Sequence, residues 1–516
     1  MINDLGARSN RKPAGERYND PIMGVFLQLV QNTLATHAAR AAIVCDQRTL
    51  TYGELAAHAR DGAGWLQSLG VRKGDRVVLC TGNKRAFLHA HLSALLAGAV
   101  SLPLNPRFTR EELRFFLKDS GARVAVVDDD ARLIIEGLRS ELPDLHTVVT
   151  DVAVLDAPKS TYHLVPVKPD DPCLILYSSG TTGWPKGVVH AHGNVASSLL
   201  ALQKCWWFTP DDVVLNVLPL FHIHGLCFAT QLTLMTGGCL LLDDFEPQRT
   251  MKRVSECTVF MAVPTIYYRL LEQPNFRDIA KTWKQTRLFT CGSAPIRAEV
   301  LPELEAILGK PVINRYGMTE AFVITSLPLD GPWPYGSVGK PLEGIEVRVV
   351  ADAGDVGAVQ LRGPNLFREY WNKPPSPIVG QAGKPDLQGE GSNAWFDTGD
   401  LGSVDATGFL TLVGRKNDLI ITSGYNVYPQ VVERVINDCP GVRESAVIGV
   451  PDERKGERVA AIVVRDDPTL DEARLRAFIA ERLVDYQRPR DVRFVDALPR
   501  NTMGKVLRRE LRDLVC

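Results

Sequence analysis

What the chain lacks narrows its class first. It carries 59 Lys and Arg against 60 Asp and Glu, a formal net charge of −1. No basic excess exists to support general nucleic-acid or membrane-surface binding. None of the 10 cysteines stands in a C-x-x-C pair, and no Cys/His set has zinc-finger spacing. They read as small buried side chains in a reducing compartment, so a cytoplasmic location is expected. The opening stretch MINDLGARSNRKPAGERYND is polar and has no apolar core, so an arm is expected there rather than a signal peptide. No internal repeat or low-complexity tract stands out. Residues 213–242 do run without Asp, Glu, Lys or Arg, and are long enough to suggest a membrane span. Asn216, Pro219, His222, His224, Gln231 and the adjacent Gly237 and Gly238 interrupt them. A buried strand–turn–helix is expected instead, with no stable membrane insertion.

What is present is a long, ordinary globular sequence. Its 516 residues exceed one core and imply several domains or subdomains. Apolar runs alternate with amphipathic stretches. Strands are expected at 76–80, 123–128, 213–217, 239–242, 259–262 and 288–290. Helices are expected at 84–97, 264–271 and 298–308. This alternation predicts an α/β fold with parallel-type sheets covered by helices. Ligands in such folds lie at the carboxyl ends of strands. Beyond about Gly414 the pattern changes. A helix at 431–438, strands at 444–450 and 459–464 and a helix at 470–483 predict a small, mobile α+β domain. The expected division is therefore 1–416 and 417–516, with a hinge between.

The strongest local signal is LILYSSGTTGWPKG, residues 174–187. A buried strand feeds a loop of glycines and hydroxyl residues ending in one lysine. Glycines let the backbone approach phosphate oxygens, and amides and hydroxyls donate to them. A Walker A loop is excluded. Counting from Gly180, Pro185 occupies the second glycine position, and Gly187 rather than Ser or Thr follows Lys186.

Further motifs follow in order: LTYGEL at 50–55, CGSAP at 291–295, YGMTE at 316–320, Tyr370 with Trp371, TGD at 398–400, GRKNDLIITSGYNVYP at 414–429 and PRNTMGK at 499–505. Together they resemble the acyl-adenylate-forming family of acyl-CoA synthetases, peptide-synthetase adenylation domains and firefly luciferase. The resemblance implies ATP, Mg²⁺ and coenzyme A as co-reactants and a small-molecule carboxylic acid as substrate. It implies that Ser178, Ser179, Gly180, Thr181, Thr182, Gly183 and Lys186 surround the β- and γ-phosphates. Thr319 would touch the α-phosphate and Glu320 would hold the metal. Gly292, Ser293, Ala294 and Pro295 would pass along the adenine, with Tyr316 and Gly317 against it, and Asp400 and Arg415 would take the ribose. Lys505 would be the catalytic lysine of adenylation, and its acetylation would be an off-switch. Gly424 would lie along the pantetheine. Asn417 aligns with the hinge position, where the family usually has Asp or Lys. Trp184 replaces a small or charged residue in the phosphate loop, with no evident chemical consequence.

His222 lies where the family often places a histidine beside the acyl site. It orients the carboxylate, gates the thiol channel, or is a core histidine. LPLFHIHGL at 218–226, RYGMTE at 315–320 and LPRNTMGKV at 498–506 are similar to malonyl-CoA synthetases. That similarity favours a short dicarboxylate, malonate or methylmalonate, and selects Arg287 as the partner of its second carboxylate. The apolar run at 321–324 keeps a medium-chain fatty or aromatic acid open. No carrier-protein or condensation-like segment occurs up to Cys516, so a free-standing ligase is expected, alone or as a homodimer. The intact set Lys186, Glu320, Asp400, Arg415 and Lys505 opposes a non-catalytic binding protein.

Overall fold

A computed structural model of the chain describes residues 25–45, 48–178, 185–297, 299–334, 336–351, 354–372, 387–388, 395–423, 425–452, 454–500 and 506–515. Short, β-branched-rich runs form its sheets. The larger one has nine strands. Six of them are parallel, in the order Val312–Met318, Leu288–Cys291, Val259–Ala262, Val213–Asn216, Cys239–Leu242, Ala41–Cys45. Antiparallel strands Phe322–Ser326 and Arg48–Thr51 flank them. A seven-stranded sheet contains parallel Pro172–Ser178, Val100–Pro103, Arg76–Cys80, Val124–Val127 and Thr147–Thr150. Its edge is made by Lys186–Ala191 and Glu369–Tyr370, both antiparallel. A third sheet is antiparallel and includes Trp395–Val404 and Leu410–Arg415. The architecture is the α/β one the alternation predicts.

Helix ends follow local chemistry. Thr51 with Glu54 caps Tyr52–Ser68, and Thr109 with Glu112 caps Arg110–Ser120, each as a reciprocal side-chain and backbone pair. The helix Lys84–Leu96 is buried on nearly every face from Ala86 onward. A helix covered all round has no solvent face to keep polar, which explains its weak polar stripe, and its buried His89, His91 and Ser93 hydrogen-bond inside the fold.

The uncharged stretch forms the strand Val213–Asn216, a π-helix His224–Gln231, a short α-helix Leu232–Thr236 and the strand Cys239–Leu242. The wide helical turns are the one departure from the expected strand–turn–helix. Asn216 stabilises them: its Nδ2 donates to the Gly225 carbonyl and to Thr230 Oγ1, both at 2.9 Å. No helix among the described residues is long and apolar enough to cross a membrane.

From Ile420 onward the strands pair only with one another. Tyr425–Val427, Ile420–Thr422, Gly456–Arg465, Val442–Asp452 and Asp491–Val495 make one sheet, covered by helices Pro429–Asn437 and Glu472–Ala480, with a core of its own.

Candidate active site

The parallel strands of the nine-stranded sheet point their carboxyl ends to one edge. Cys291 runs there into Gly292 and Ser293, Asn216 into the segment bearing His222, and Met318 into Thr319 and Glu320. The seven-stranded sheet brings Ser178, at the end of its strand, and Lys186, at the start of the next, to the same place: Ser178 Oγ donates to Glu320 Oε1 at 3.3 Å. Tyr370 Oη donates to that same oxygen, also at 3.3 Å. Burial pushes the Glu320 carboxyl above the usual carboxylate range, while these two hydroxyls and Arg415 oppose the shift. One buried carboxylate beside hydroxyls suits Mg²⁺, which takes one or two protein carboxylates and completes its shell with phosphate and water.

A second group lies at the third sheet. Asp400 is buried midway along Trp395–Val404 and faces Arg415, the last residue of Leu410–Arg415, across the ladder. Arg415 Nε lies 3.0 Å from Asp400 Oδ1, and Tyr316 Oη donates to Oδ2 at 2.5 Å. Tyr316, Asp400 and Arg415 therefore form one connected unit. Gly317 follows Tyr316 at a bulge in the hairpin, and a Cβ there would stand 2.1 Å from the Phe322 carbonyl oxygen. Ser293 adopts a left-handed φ of 72°, which turns the chain sharply before Ala294 and Pro295.

The third group sits below that turn. Ser293 Oγ lies 3.2 Å from His224 Nδ1. Burial holds His222 down to about 4 and His224 well below its ordinary range, with Arg315 and His222 adding to the latter. Both imidazoles are thus neutral near pH 7, and the Nε2 of each is buried without a partner among the described residues. Arg315 lies over Phe228, its Cζ 4.7 Å from the ring centroid. Its Nε and Nη2 are buried without a hydrogen-bond partner among the described residues. Burial lowers its pKa to about 10, which still leaves it charged at neutral pH. The strand end at Gly292 makes room for it, since a Cβ there would stand 2.8 Å from Arg315 Cζ.

Arg287 is not part of this group, which corrects the role expected of it. It precedes Leu288–Cys291 and so sits at the amino end of that strand, about 13 Å of extended chain from the site edge. Its guanidinium is largely engaged there. Nε and Nη2 each donate to the Asp212 carboxylate at 2.7 Å, Nη1 to the Trp206 carbonyl at 2.9 Å and Nη2 to the Trp207 carbonyl at 3.2 Å. RYGMTE contains Arg315 and LPLFHIHGL contains His224, but neither motif by itself gives these residues a role. A further signal is the single charge inside an otherwise uncharged strand, VINRYGM. Ser179, Gly180, Thr181, Thr182, Gly183, Trp184, Gly424 and Lys505 lie outside the described residues.

Residues 30–371 match the AMP-binding enzyme family, and residues 431–505 match the AMP-binding enzyme C-terminal domain. The chain belongs to this family. It is 32% identical over 496 residues to the mitochondrial malonate–CoA ligase ACSF3 of Bos taurus, covering 86% of this chain and 82% of that one. It is 34% identical over 484 residues to the long-chain-fatty-acid–CoA ligase FadD13 of Mycobacterium tuberculosis, covering 90% and 93%. Among solved structures, ATP-bound MatB from Rhodopseudomonas palustris matches with a TM-score of 0.88 at 36% identity, covering 95% of this chain and 98% of that one. Apo MatB matches at the same identity with a TM-score of 0.78. The protein is an AMP-forming acyl-CoA ligase that uses ATP, Mg²⁺ and coenzyme A.

Proposed function

We propose that the acid is a short dicarboxylate, malonate or methylmalonate. The observation that carries this reading is Arg315, a charged guanidinium that is 4% exposed and has two nitrogens without a hydrogen-bond partner among the described residues. A buried charge with no partner is costly, so a ligand-borne anion is the natural complement. The second carboxylate of a dicarboxylate supplies it. His222 and His224, neutral and with free Nε2 atoms, add hydrogen-bonding capacity for the carboxylate that reacts. The malonate-activating relative and the MatB structures support the same reading.

The chemistry then runs in two steps. A carboxylate oxygen of the acid attacks the α-phosphorus, and the bond to pyrophosphate breaks, giving acyl-AMP. The thiol of CoA next attacks the acyl carbon, AMP leaves, and the thiol proton is released. Ser178, Ser179, Thr181, Thr182 and Lys186 hold the leaving phosphates, and Thr319 holds the α-phosphate. Tyr316, Asp400 and Arg415 hold the nucleoside. Bound at Glu320, Mg²⁺ would screen phosphate charge. Lys505 brings a second cation to the carboxylate and α-phosphate, which repel each other without it. We assign the pivot between the two steps to Asn417, ahead of the separate sheet that begins at Ile420.

A fatty or aromatic acid is the second reading, favoured by relatives such as FadD13. The apolar run offered for it, Phe322, Val323 and Ile324, is 0% exposed and packed into the large core. An acid panel tests the choice: kcat/KM for malonate, methylmalonate, butyrate, octanoate and benzoate, read as AMP release with CoA. Malonate or methylmalonate should lead. Preference for octanoate or benzoate overturns the dicarboxylate assignment.

A further inference from the structure

Tyr370 and Trp371 form a motif whose chemistry the steps above leave unused. The strand Glu369–Tyr370 is only two residues long, with Trp371 just past it, and it is held at the sheet edge by its neighbours. Tyr370 pairs with Val188 in the antiparallel ladder. Side chains alternate along a strand, so Lys186, two residues before Val188, shares the face of Tyr370 and is its diagonal neighbour. The Lys186 ammonium lies 5.1 Å from the Tyr370 ring centroid. The Tyr370 hydroxyl meanwhile donates to Glu320 Oε1.

The surroundings fix this ring in place. Phe367 packs against it at 4.6 Å between centroids, and the Phe367 amide donates to the Glu320 carbonyl at 2.8 Å. On the other side Trp371 donates through its amide to the Gly187 carbonyl at 2.7 Å and through Nε1 to the Asp119 carbonyl at 2.8 Å. One side chain thus touches both the expected metal carboxylate and the expected phosphate lysine, which come from different sheets.

We propose that Tyr370 is a positioning residue shared by the two halves of the metal–nucleotide site, its hydroxyl fixing the Glu320 carboxylate and its ring fixing the Lys186 ammonium. The proposal rests on the adenylation reading of these residues. It separates into two parts, because phenylalanine keeps the ring and loses the hydroxyl, whereas leucine loses both.

The test is calorimetric binding to the full chain, with no acid present. Wild type, Tyr370→Phe and Tyr370→Leu are titrated with a non-hydrolysable ATP analogue, with and without Mn²⁺ as the metal probe. Tyr370→Phe should need roughly tenfold more metal, the scale of a lost hydrogen bond to a charged group, with metal-free nucleotide affinity unchanged. Tyr370→Leu should show the same metal loss and bind metal-free nucleotide about threefold more weakly. If Tyr370→Leu melts early, Tyr370→Met replaces it, and Tyr370→Phe alone still tests the hydroxyl. Wild-type metal dependence in Tyr370→Phe overturns the hydroxyl's role, and equal metal-free affinity in Phe and Leu variants overturns the ring's. A wild type that bound no metal–nucleotide would instead overturn the adenylation reading of Glu320 and Lys186.

Discussion

Two arginines bracket the strand Leu288–Cys291, and they have opposite fates. Arg287, at its amino end, meets a buried carboxylate and two carbonyls, so its hydrogen bonds are largely satisfied within the protein. Arg315 lies against Gly292, just past the carboxyl end, more deeply buried and with less to bind. A satisfied guanidinium adds rigidity and leaves nothing to offer a ligand. An unsatisfied one is a standing cost that a ligand relieves. The difference separates scaffold from site more sharply than residue type does.

The largest expected effect sets the scale for this comparison. Lys505→Ala should lower acid-dependent pyrophosphate exchange ~10²-fold or more for every acid alike, because it removes charge stabilisation common to all of them. It should still convert supplied acyl-adenylate to thioester; equal loss of both half-reactions would remove Lys505 from adenylation.

Arg315→Met should act selectively where Lys505→Ala acts generally. Losing a desolvated ion pair costs about 2–5 kcal/mol, so kcat/KM for malonate should fall roughly thirtyfold or more, with butyrate spared. Because the variant deletes an unpaired buried charge, urea unfolding should find its stability unchanged or raised. A proportional loss on butyrate would mean that Arg315 serves the fold rather than the acid.

Arg287→Ala should do the reverse. It leaves the Asp212 carboxylate buried without its arginine, and unfolding free energy should drop by about 2–3 kcal/mol, below the full buried-pair range because Arg287 is partly exposed. The malonate-to-butyrate preference should not move; a changed preference would return Arg287 to the acid pocket. In the double variant the stability effects should add to within about 0.5 kcal/mol, since the two side chains share no partner. A larger coupling would show that the two ends communicate.

The smallest effect concerns pH. His222 is held neutral, with its pKa at about 4. The unfolded chain binds that proton more readily, so the stability it contributes is fully present above about pH 6.5 and is lost as pH falls toward 4, at about 1.4 kcal/mol for each pH unit between. His222→Asn should flatten this dependence by one proton's share, measured as unfolding free energy at pH 7.5 and 5. An unchanged slope would mean that His222 is solvated rather than buried.

Much of this molecule follows from its order of residues. Alternating apolar runs dictate parallel strands and covering helices, because each needs a dry face at a fixed period. Glycines, hydroxyl residues and a lysine after a strand imply a phosphate loop, because those groups act through local backbone geometry. The motif series carries the family for the same reason: its members are short, and their chemistry is local. Which arginine keeps donors free for a ligand is a different kind of question. Arg287 and Arg315 both stand beside motif residues, and both suit a carboxylate. Only the fold supplies Asp212 to one, from 75 residues away, and leaves two nitrogens of the other without a hydrogen-bond partner among the described residues. Likewise only sheet pairing sets Tyr370 against both Lys186 and Glu320. Residue identity sets what a side chain can bind, but long-range packing decides whether that capacity is already used.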